Sequence, residues 1–542
     1  MFGVKFKKTM RAFADNGINL VLISVITGVF AGVVVTFYNI LMSLGEETSV
    51  SLYELVRENP AFVPVLFIGL AAGALVVGTV AKFVPMVRGS GIPQIEGAAR
   101  GKVRFNWYVT MCSMFAASLA CVFMGYPAGA EGPSLEIGGC AGSAVGTLLK
   151  RNQMVKRLQI ASGASSGLAV AFNAPVTGLV FAMEEAFRSF SPQVFICAAI
   201  SVISSLFTRN ALRYAILGKD KVGFTFKSFE FNFAFDGQGA LFCLWVVLAA
   251  VVVALLGVGF YYAVFATKRL FKKVTFFKGT GKYMIPFAFA GAFGLITVYS
   301  LGGGHDFIQS LATGGTGDIQ IERVFGIGLI ASLLIIVAIR WITGVLSMGC
   351  GVPCGVFIPM LATGAGAGAV ISVIFQKWGM SGAYGDYLVI ICMAVFFTCI
   401  VKAPITGIVM VFELTGEFVN FLPALIGIVI GYLIGMLFKT EAIYEKNLEQ
   451  YIADQKIHAD FRKERVRVLI REHSKADGAL VRAVVWPTNG LVVELIRADG
   501  TQTVPDGETM LHAGQEIIFE CETDSRDELV DYLYDLVGRP EK

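Results

Sequence analysis

Between Ile18 and Leu437 the chain returns repeatedly to apolar runs, too many and too long for a soluble core to cover. They are Ile18–Met42, Val63–Val84, Ala240–Val264, Ile285–Leu301, Val324–Ile339, Tyr387–Ile400 and Leu422–Leu437. Several exceed the roughly 18–20 apolar residues needed to cross a bilayer. Only 15% of the 542 residues are charged, against about 25% in ordinary soluble domains. The sequence therefore predicts an all-α polytopic membrane protein. The net charge of +4 matters less than its placement. Lys5, Lys7, Lys8 and Arg11 precede the first run and place the N-terminus in the cytoplasm. The Lys268–Lys282 stretch belongs on the same side. The run from Ile18 is too long for the apolar region of a signal peptide, so it reads as a retained first helix.

Charge returns near Lys439, which sets the end of the membrane region at about 440–455 and leaves a soluble tail. Within the membrane region, glycine and proline cluster inside apolar segments, as in Gly89-Ser90-Gly91-Ile92-Pro93 and Gly351-Val352-Pro353-Cys354-Gly355. Such clusters predict broken or re-entrant helices, which are tolerable at membrane depth only where the loose backbone lines a protein-enclosed cavity. The chain also repeats itself. Ala174-Pro175-Val176-Thr177-Gly178-Leu179-Val180 leads to Glu184, and Ala403-Pro404-Ile405-Thr406-Gly407-Ile408-Val409 leads to Glu413 at the same spacing. Upstream, Gly129-x-Glu131-x-Pro133 echoes Gly355-x-Phe357-x-Pro359, followed in register by Leu135/Leu361 and Gly138/Gly364. Two halves, about 15–215 and 240–440, with matched interrupted helices are the mark of a transporter with its site at the repeat interface.

A broken helix has N–H groups without partners and partial positive charge at its start, so it binds an anion without a buried Lys or Arg. Three segments fit. Ser90-Gly91-Ile92-Pro93 places proline at a helix start with Ser90 as N-cap; Gly132-Pro133 and Gly355–Pro359 are similar starts. Glu131 sits beside one of them, where an ionised carboxylate is expensive unless paired or neutralised. It can occupy the anion site itself and leave when protonated, as gate and proton carrier; the plainer reading is a stabilising carboxylate at a helix start. Of Glu184 and Glu185, one answers a buried structural need and the other is left for proton transfer. The ten cysteines are scattered through apolar segments, where cysteine acts as a small hydrophobe. No nucleophile–base or metal constellation is present in the sequence, which disfavours an enzyme and calls for no cofactor or metal.

The segments Gly89–Pro93, Gly129–Pro133 and Gly355–Pro359 resemble the three signature segments of the CLC family of chloride channels and transporters. Ala171–Pro175 and Ile443-Tyr444-Glu445 follow in family order, and the resemblance covers roughly residues 15–450. It implies the CLC fold with an inverted-topology repeat, as a homodimer with one chloride pathway per subunit in the cell membrane. It further implies that Ser90, Gly91, Ile92, Phe357, Ile358 and Tyr444 bind the anion and that Glu131 is the external gate. In this family a second glutamate near the cytoplasmic side separates proton-coupled antiporters from channels, and Glu185 matches it. Ser90 favours chloride. The reading is chloride/proton exchange; the alternative is a passive voltage- or pH-gated chloride channel, with an anion sensor a distant third. One departure stands out: the family usually has arginine before the gate glutamate, and here it is Ala130.

The tail, 465–542, reads as a small cytoplasmic α+β domain. Val481–Trp486, Leu491–Ile496 and Glu516–Glu520 look like strands, Asp499-Gly500 and Pro505-Asp506-Gly507 like turns, and Ser525-x-x-Glu528 like a capping box opening a last helix. Glu494–Gly514 resembles the C-terminal lobe of potassium-channel regulatory domains, the TrkA-C type. Such lobes dimerise and some bind cyclic di-AMP, so the resemblance makes a cyclic dinucleotide the candidate tail ligand, with no nucleic acid polymer as partner; a dimer-stabilising cap without ligand is the other reading.

Overall fold

The computed structural model describes residues 2–187, 192–218, 229, 237–274, 276–314, 316, 318–415, 422–455, 462–484, 486, 490–497, 499–523 and 526–540. The first half of the membrane domain contains α1 (Phe2–Glu58), α2 (Val63–Phe83), α3 (Ile92–Ala99), α4 (Trp107–Phe123), α5 (Glu131–Leu148), α6 (Gln153–Phe172), α7 (Pro175–Phe181) and α8 (Pro192–Leu217). The second contains α9 (Gly237–Phe271), α10 (Met284–Ile296), α11 (His305–Ser310), α12 (Leu329–Cys350), α13 (Phe357–Lys377), α14 (Gly385–Val401), α15 (Pro404–Thr415), α16 (Leu422–Leu437) and α17 (Ile443–Asp454). Among the described residues, seven helices are long and apolar enough to cross a membrane. They differ in what covers them. The apolar window ending α14 is wholly buried inside the protein, while that of α2 is only 28% buried and turns Val65, Ile68, Val76 and Phe83 outward. An outward face that apolar is stable only against lipid.

The repeat seen in the sequence is a repeat in space. Helix α6 ends on Asn173 and α14 on Lys402, both left-handed, with φ of 54° and 67°. Each is followed by Ala-Pro, and the proline opens the next helix (α7 and α15). Helical backbone is disfavoured for the residue before proline, and Ala174 is extended at φ −125°, so the matched sequences favour matched breaks. An antiparallel bridge joins Gly129 to Gly355, one from each half. Small residues also bring helices close within the first half. Gly138 of α5 and Gly163 of α6 lie so near that a Cβ on either would overlap the other's carbonyl, as expected where backbone contact replaces a hydrophobic driving force between helices.

Two sequence expectations move. The Val324–Ile339 run does not form one helix: Val324–Gly326 is a short 3-10 turn with Phe325 at φ 51°, and α12 starts at Leu329. Ser90 is not the N-cap of α3. Gly91 holds that position at φ 77°, with no side-chain cap.

The tail carries β1 (Arg462–Leu469), β2 (Gly490–Ile496), β3 (Gln502–Thr503), β4 (Glu516–Thr523) and α18 (Arg526–Val537). The sheet is antiparallel in the order β1-β4-β2-β3. Val466, Val468, Ile517 and Phe519 point inward onto Leu529 and Leu533 of α18. The strand expected at Val481–Trp486 is instead a 3-10 turn at Val481–Ala483; Val485 lies outside the described residues, as does Ser525 of the expected capping box. Met154, at the start of α6, packs against this small core, and a cavity of about 620 Å³ lies at the seam.

Candidate functional site

The three glycine-rich segments are tied to one another by backbone. Gly129 N donates to Gly355 O at 2.8 Å and Gly355 N returns a bond to Gly129 O at 3.0 Å. Gly89 N donates to Gly351 O at 3.1 Å, and Cys354 N to Gly89 O at 3.2 Å. A Cβ on Gly132 would meet Ser90 O at 2.7 Å. The starts of α3, α5 and α13 therefore converge, and Gly91, Ile92, Phe357 and Ile358 lie in the first turns or caps of two of them. Their macrodipoles place partial positive charge at one point inside the membrane domain.

Around that point the structure gathers aromatic rings. The Phe357 ring lies 4.9 Å from Phe172, 5.8 Å from Phe181 and 4.7 Å from Phe397. Tyr444 of α17 approaches Phe181 at 6.4 Å, is fully buried, and its hydroxyl has no protein partner. A buried hydroxyl donor without a partner is costly, and an anion at this junction would satisfy it. Ser90 lines one cavity of about 170 Å³ whose walls include Lys268, Lys272 and Lys282. Glu131 lines a second cavity of about 480 Å³ with Asn39, Glu46, Arg209, Arg213 and His305. The junction thus lies between two vestibules, both supplied with cations.

Glu131 opens α5 and is 1% exposed. Its Oε2 has no partner, and its Oε1 lies 3.3 Å from His305 Nε2. Of the two neighbouring glutamates, Glu184 is the one that answers a structural need. Glu184 accepts bonds from Ile405 N at 3.0 Å, Thr406 N at 2.7 Å and Thr406 Oγ1 at 2.7 Å, and so caps α15. Its repeat mate Glu413 does the same for α7, accepting from Val176 N at 2.8 Å and Thr177 N at 2.6 Å. Each half caps the other's broken helix. Glu185 is 2% exposed, within the π-turn Ala182–Phe187 that follows α7. Its backbone carbonyl accepts from the Arg100 guanidinium at 2.6 Å.

Sequence reasoning missed His305 and Glu136. His305 lies 174 positions from Glu131, and only its place after Gly302-Gly303-Gly304 marked it. Glu136 is fully buried against Gly91, with neither carboxyl oxygen bonded; its place on the same helix as Glu131 was the available signal. Among the described residues no cluster of His, Cys, Asp and Glu could hold a metal. None of the ten cysteines is in a disulfide, and Cys354 contacts Ser347 Oγ at 3.1 Å.

Comparison with known proteins places this geometry. A family model described as voltage gated chloride channel matches residues 72–436. The H(+)/Cl(−) exchange transporter ClcA of Vibrio cholerae is 29% identical over 457 residues, covering 81% of this chain and 91% of the relative. That of Vibrio parahaemolyticus is 28% identical over 471 residues, covering 83% and 94%. Among solved structures, a slow cyanobacterial Cl−/H+ antiporter superposes with a TM-score of 0.69 at 21% identity, over 81% of this chain and 99% of that one. A eukaryotic CLC transporter superposes at 0.62 and 19% identity, over 97% and 90%.

Proposed function

The chain belongs to the voltage-gated chloride channel (CLC) family, and on that premise we propose that it exchanges chloride for protons across the cell membrane. The observation that carries the reading is Glu131, a buried carboxylate at the junction of three helix starts, between the two vestibules. In this reading the Glu131 cavity is the outer one and the Ser90 cavity the inner. Chloride binds where the α3 and α13 amides and the Ser90 and Tyr444 hydroxyls converge. The carboxylate competes for the same N–H groups, so protonation releases it and lets the anion pass. Glu185, buried in the π-turn after α7, is the inner proton acceptor. The exchanger names of the Vibrio relatives support the same assignment.

The test is reconstitution in liposomes with a chloride gradient. Uphill proton movement, abolished by Glu131→Gln and by Glu185→Gln, is the expected result. Chloride flux without proton movement would refute exchange in favour of a channel.

The termini are cytoplasmic in this reading, with the tail as a TrkA-C-like regulatory domain at 465–542. The protein is a homodimer in the plasma or inner membrane. The apolar side chains Leu422, Leu425, Val429 and Leu433, exposed along α16, are the surface offered for pairing. The tail also offers a cavity of about 490 Å³ lined by Arg465, Arg467 and Thr503, donors suited to phosphate oxygens. A cyclic dinucleotide such as cyclic di-AMP is the proposed ligand. Its effect would reach α6 through the Met154 contact. Calorimetric titration of the protein with cyclic di-AMP tests this, and no heat at high ligand concentration removes it.

A further inference from the structure

His305 is held in place by contacts that have nothing to do with its own side chain. The loop before it is pinned from two sides. Gly303 N donates to Glu46 Oε1 of α1 at 2.7 Å. From α12, the Arg340 guanidinium, 1% exposed, donates to Leu301 O at 3.3 Å and Gly303 O at 3.4 Å, and lies 5.4 Å from the Phe307 ring. A loop fixed at this cost in buried charge aims one imidazole nitrogen at one carboxylate oxygen, Glu131 Oε1, 3.3 Å away. The two side chains differ in what else they touch. Glu131 is 1% exposed, whereas the His305 side chain is 21% exposed and forms part of the wall of the outer cavity. Water in that cavity meets the imidazole before it meets the carboxylate.

We propose that His305 is the proton-exchanging partner of Glu131 at the outer mouth of the pathway. The imidazolium Nε2–H bond breaks, the proton forms an O–H bond with Glu131 Oε1, and the electron pair stays on Nε2. Glu131, now neutral, is free to leave the amides of the helix starts. The neutral imidazole regains its proton from cavity water on the same nitrogen. The reverse sequence delivers a proton outward. The charged groups facing the imidazole are Glu131 from α5, Glu46 from α1, Asp306 beside it and, across the cavity, Arg209 and Arg213 of α8; Arg340 reaches Glu46 and Asp306 from α12. An imidazole whose ordinary range lies near pH 6.5 changes charge within the physiological window. That supplies from another part of the chain the switchable cation that Ala130, next to the gate, does not.

The proposal rests on the exchange reading, and one variant separates the two. His305→Gln keeps an N–H that can reach Glu131 but has no titratable group to hand it a proton. In liposomes, His305→Gln should slow proton-coupled exchange about tenfold or more, less than a full acid–base factor because cavity water still reaches Glu131. The inflection near neutral external pH in the wild-type chloride flux should disappear. In a Glu131→Gln background the substitution should change nothing further. Glu46→Gln, which keeps the acceptor for Gly303 N but removes a charge facing the imidazole, should move the inflection to lower external pH. An unchanged external-pH profile in both variants would overturn the proposal, whatever happens to their thermal stability. A wild type that moves no protons uphill would overturn exchange instead, and the external-pH profile of its chloride flux would still report on His305.

Discussion

The reciprocal caps make an asymmetric prediction from a symmetric repeat. Thr177 and Thr406 occupy equivalent positions and both are fully buried. Thr406 Oγ1 donates to Glu184 Oε2 at 2.7 Å, whereas the Thr177 hydroxyl has no partner, Glu413 taking only the two backbone amides. Thr406→Val deletes one charge-assisted bond and leaves Glu184 with two amide donors. A hydrogen bond to a charged group contributes about 1.5–3 kcal/mol, and the retained amides keep the carboxylate satisfied, so the cost is about 2 kcal/mol at most. Thr177→Val removes a buried hydroxyl that bonds to nothing. Its desolvation penalty of about 1–2 kcal/mol is recovered, less a few tenths for imperfect packing of the new methyl. The variants should differ by about 2–3 kcal/mol in opposite directions, although the two sequences around them are nearly identical. The assay is thermal denaturation of the purified membrane protein in detergent, read by tryptophan fluorescence and by recovery of monodisperse protein after heating. Thr406→Val should unfold several degrees below wild type, and Thr177→Val at or above it. Equal losses in both would show that the two hydroxyls contribute alike and would refute the asymmetry; no loss in Thr406→Val would show that its hydroxyl contributes nothing.

Three further outcomes follow from the same geometry. Gly355→Ala would drive a Cβ into the Gly129 carbonyl and part the bridge between the halves; liposome chloride flux should be lost while the tail stays folded, as judged by protease resistance. Arg340→Met leaves two loop carbonyls unbonded in a buried site, and should lower the thermal midpoint and abolish the external-pH inflection together; a lowered midpoint with the inflection intact would separate the loop from His305. In the tail, Arg465 and Lys463 hold the Glu520 carboxyl below its ordinary range. A depressed folded-state value contributes stability that is present above the unfolded value and lost as pH falls through the folded one. Glu520→Gln should therefore flatten the acid limb of tail unfolding, followed through Trp486 stacked on Phe519; an acid limb as steep as wild type would refute it.

What the sequence revealed was what periodicity and breakers encode. The run Leu422–Leu437 is α16 to the residue, and Val63–Val84 is α2 plus one residue. Helices α5 and α13 were legible as breaks rather than as spans. Glycine dilutes their hydropathy, although nearly every residue in them is buried. The run at Val324 misled because Phe325 turns left-handed just before α12, and no residue there is a conventional breaker before Gly326 and Gly328. Strand β1 went unseen because its outward positions, Lys463, Arg465 and Arg467, are charged and pair with Glu520 and Glu516 on β4. At the site, local motifs located the helix starts and Glu131, whereas the π-turn that carries Glu184 and Glu185 reads as ordinary helix in the sequence. Ser90's backbone role was misjudged, since a glycine at φ 77° takes the cap. His305 was invisible for a different reason: the contact that gives it meaning spans 174 positions, and only the folded loop brings the groups together.

The crossed caps of Glu184 and Glu413 have a consequence for how such a chain is made. During synthesis α7 enters the bilayer with amides whose acceptor, Glu413, lies 237 positions downstream of Val176, and α15 reciprocally needs the Glu184 carboxylate from the half already inserted. Lipid offers no substitute acceptor. Neither half is a self-sufficient insertion product, and severing the chain between them would leave two fragments, each with an open helix start. The same logic applies to ancestry. A single half able to live in a membrane would have needed a second copy of opposite orientation, so fusion of the two into one polypeptide turned a concentration-dependent partnership into an intramolecular one.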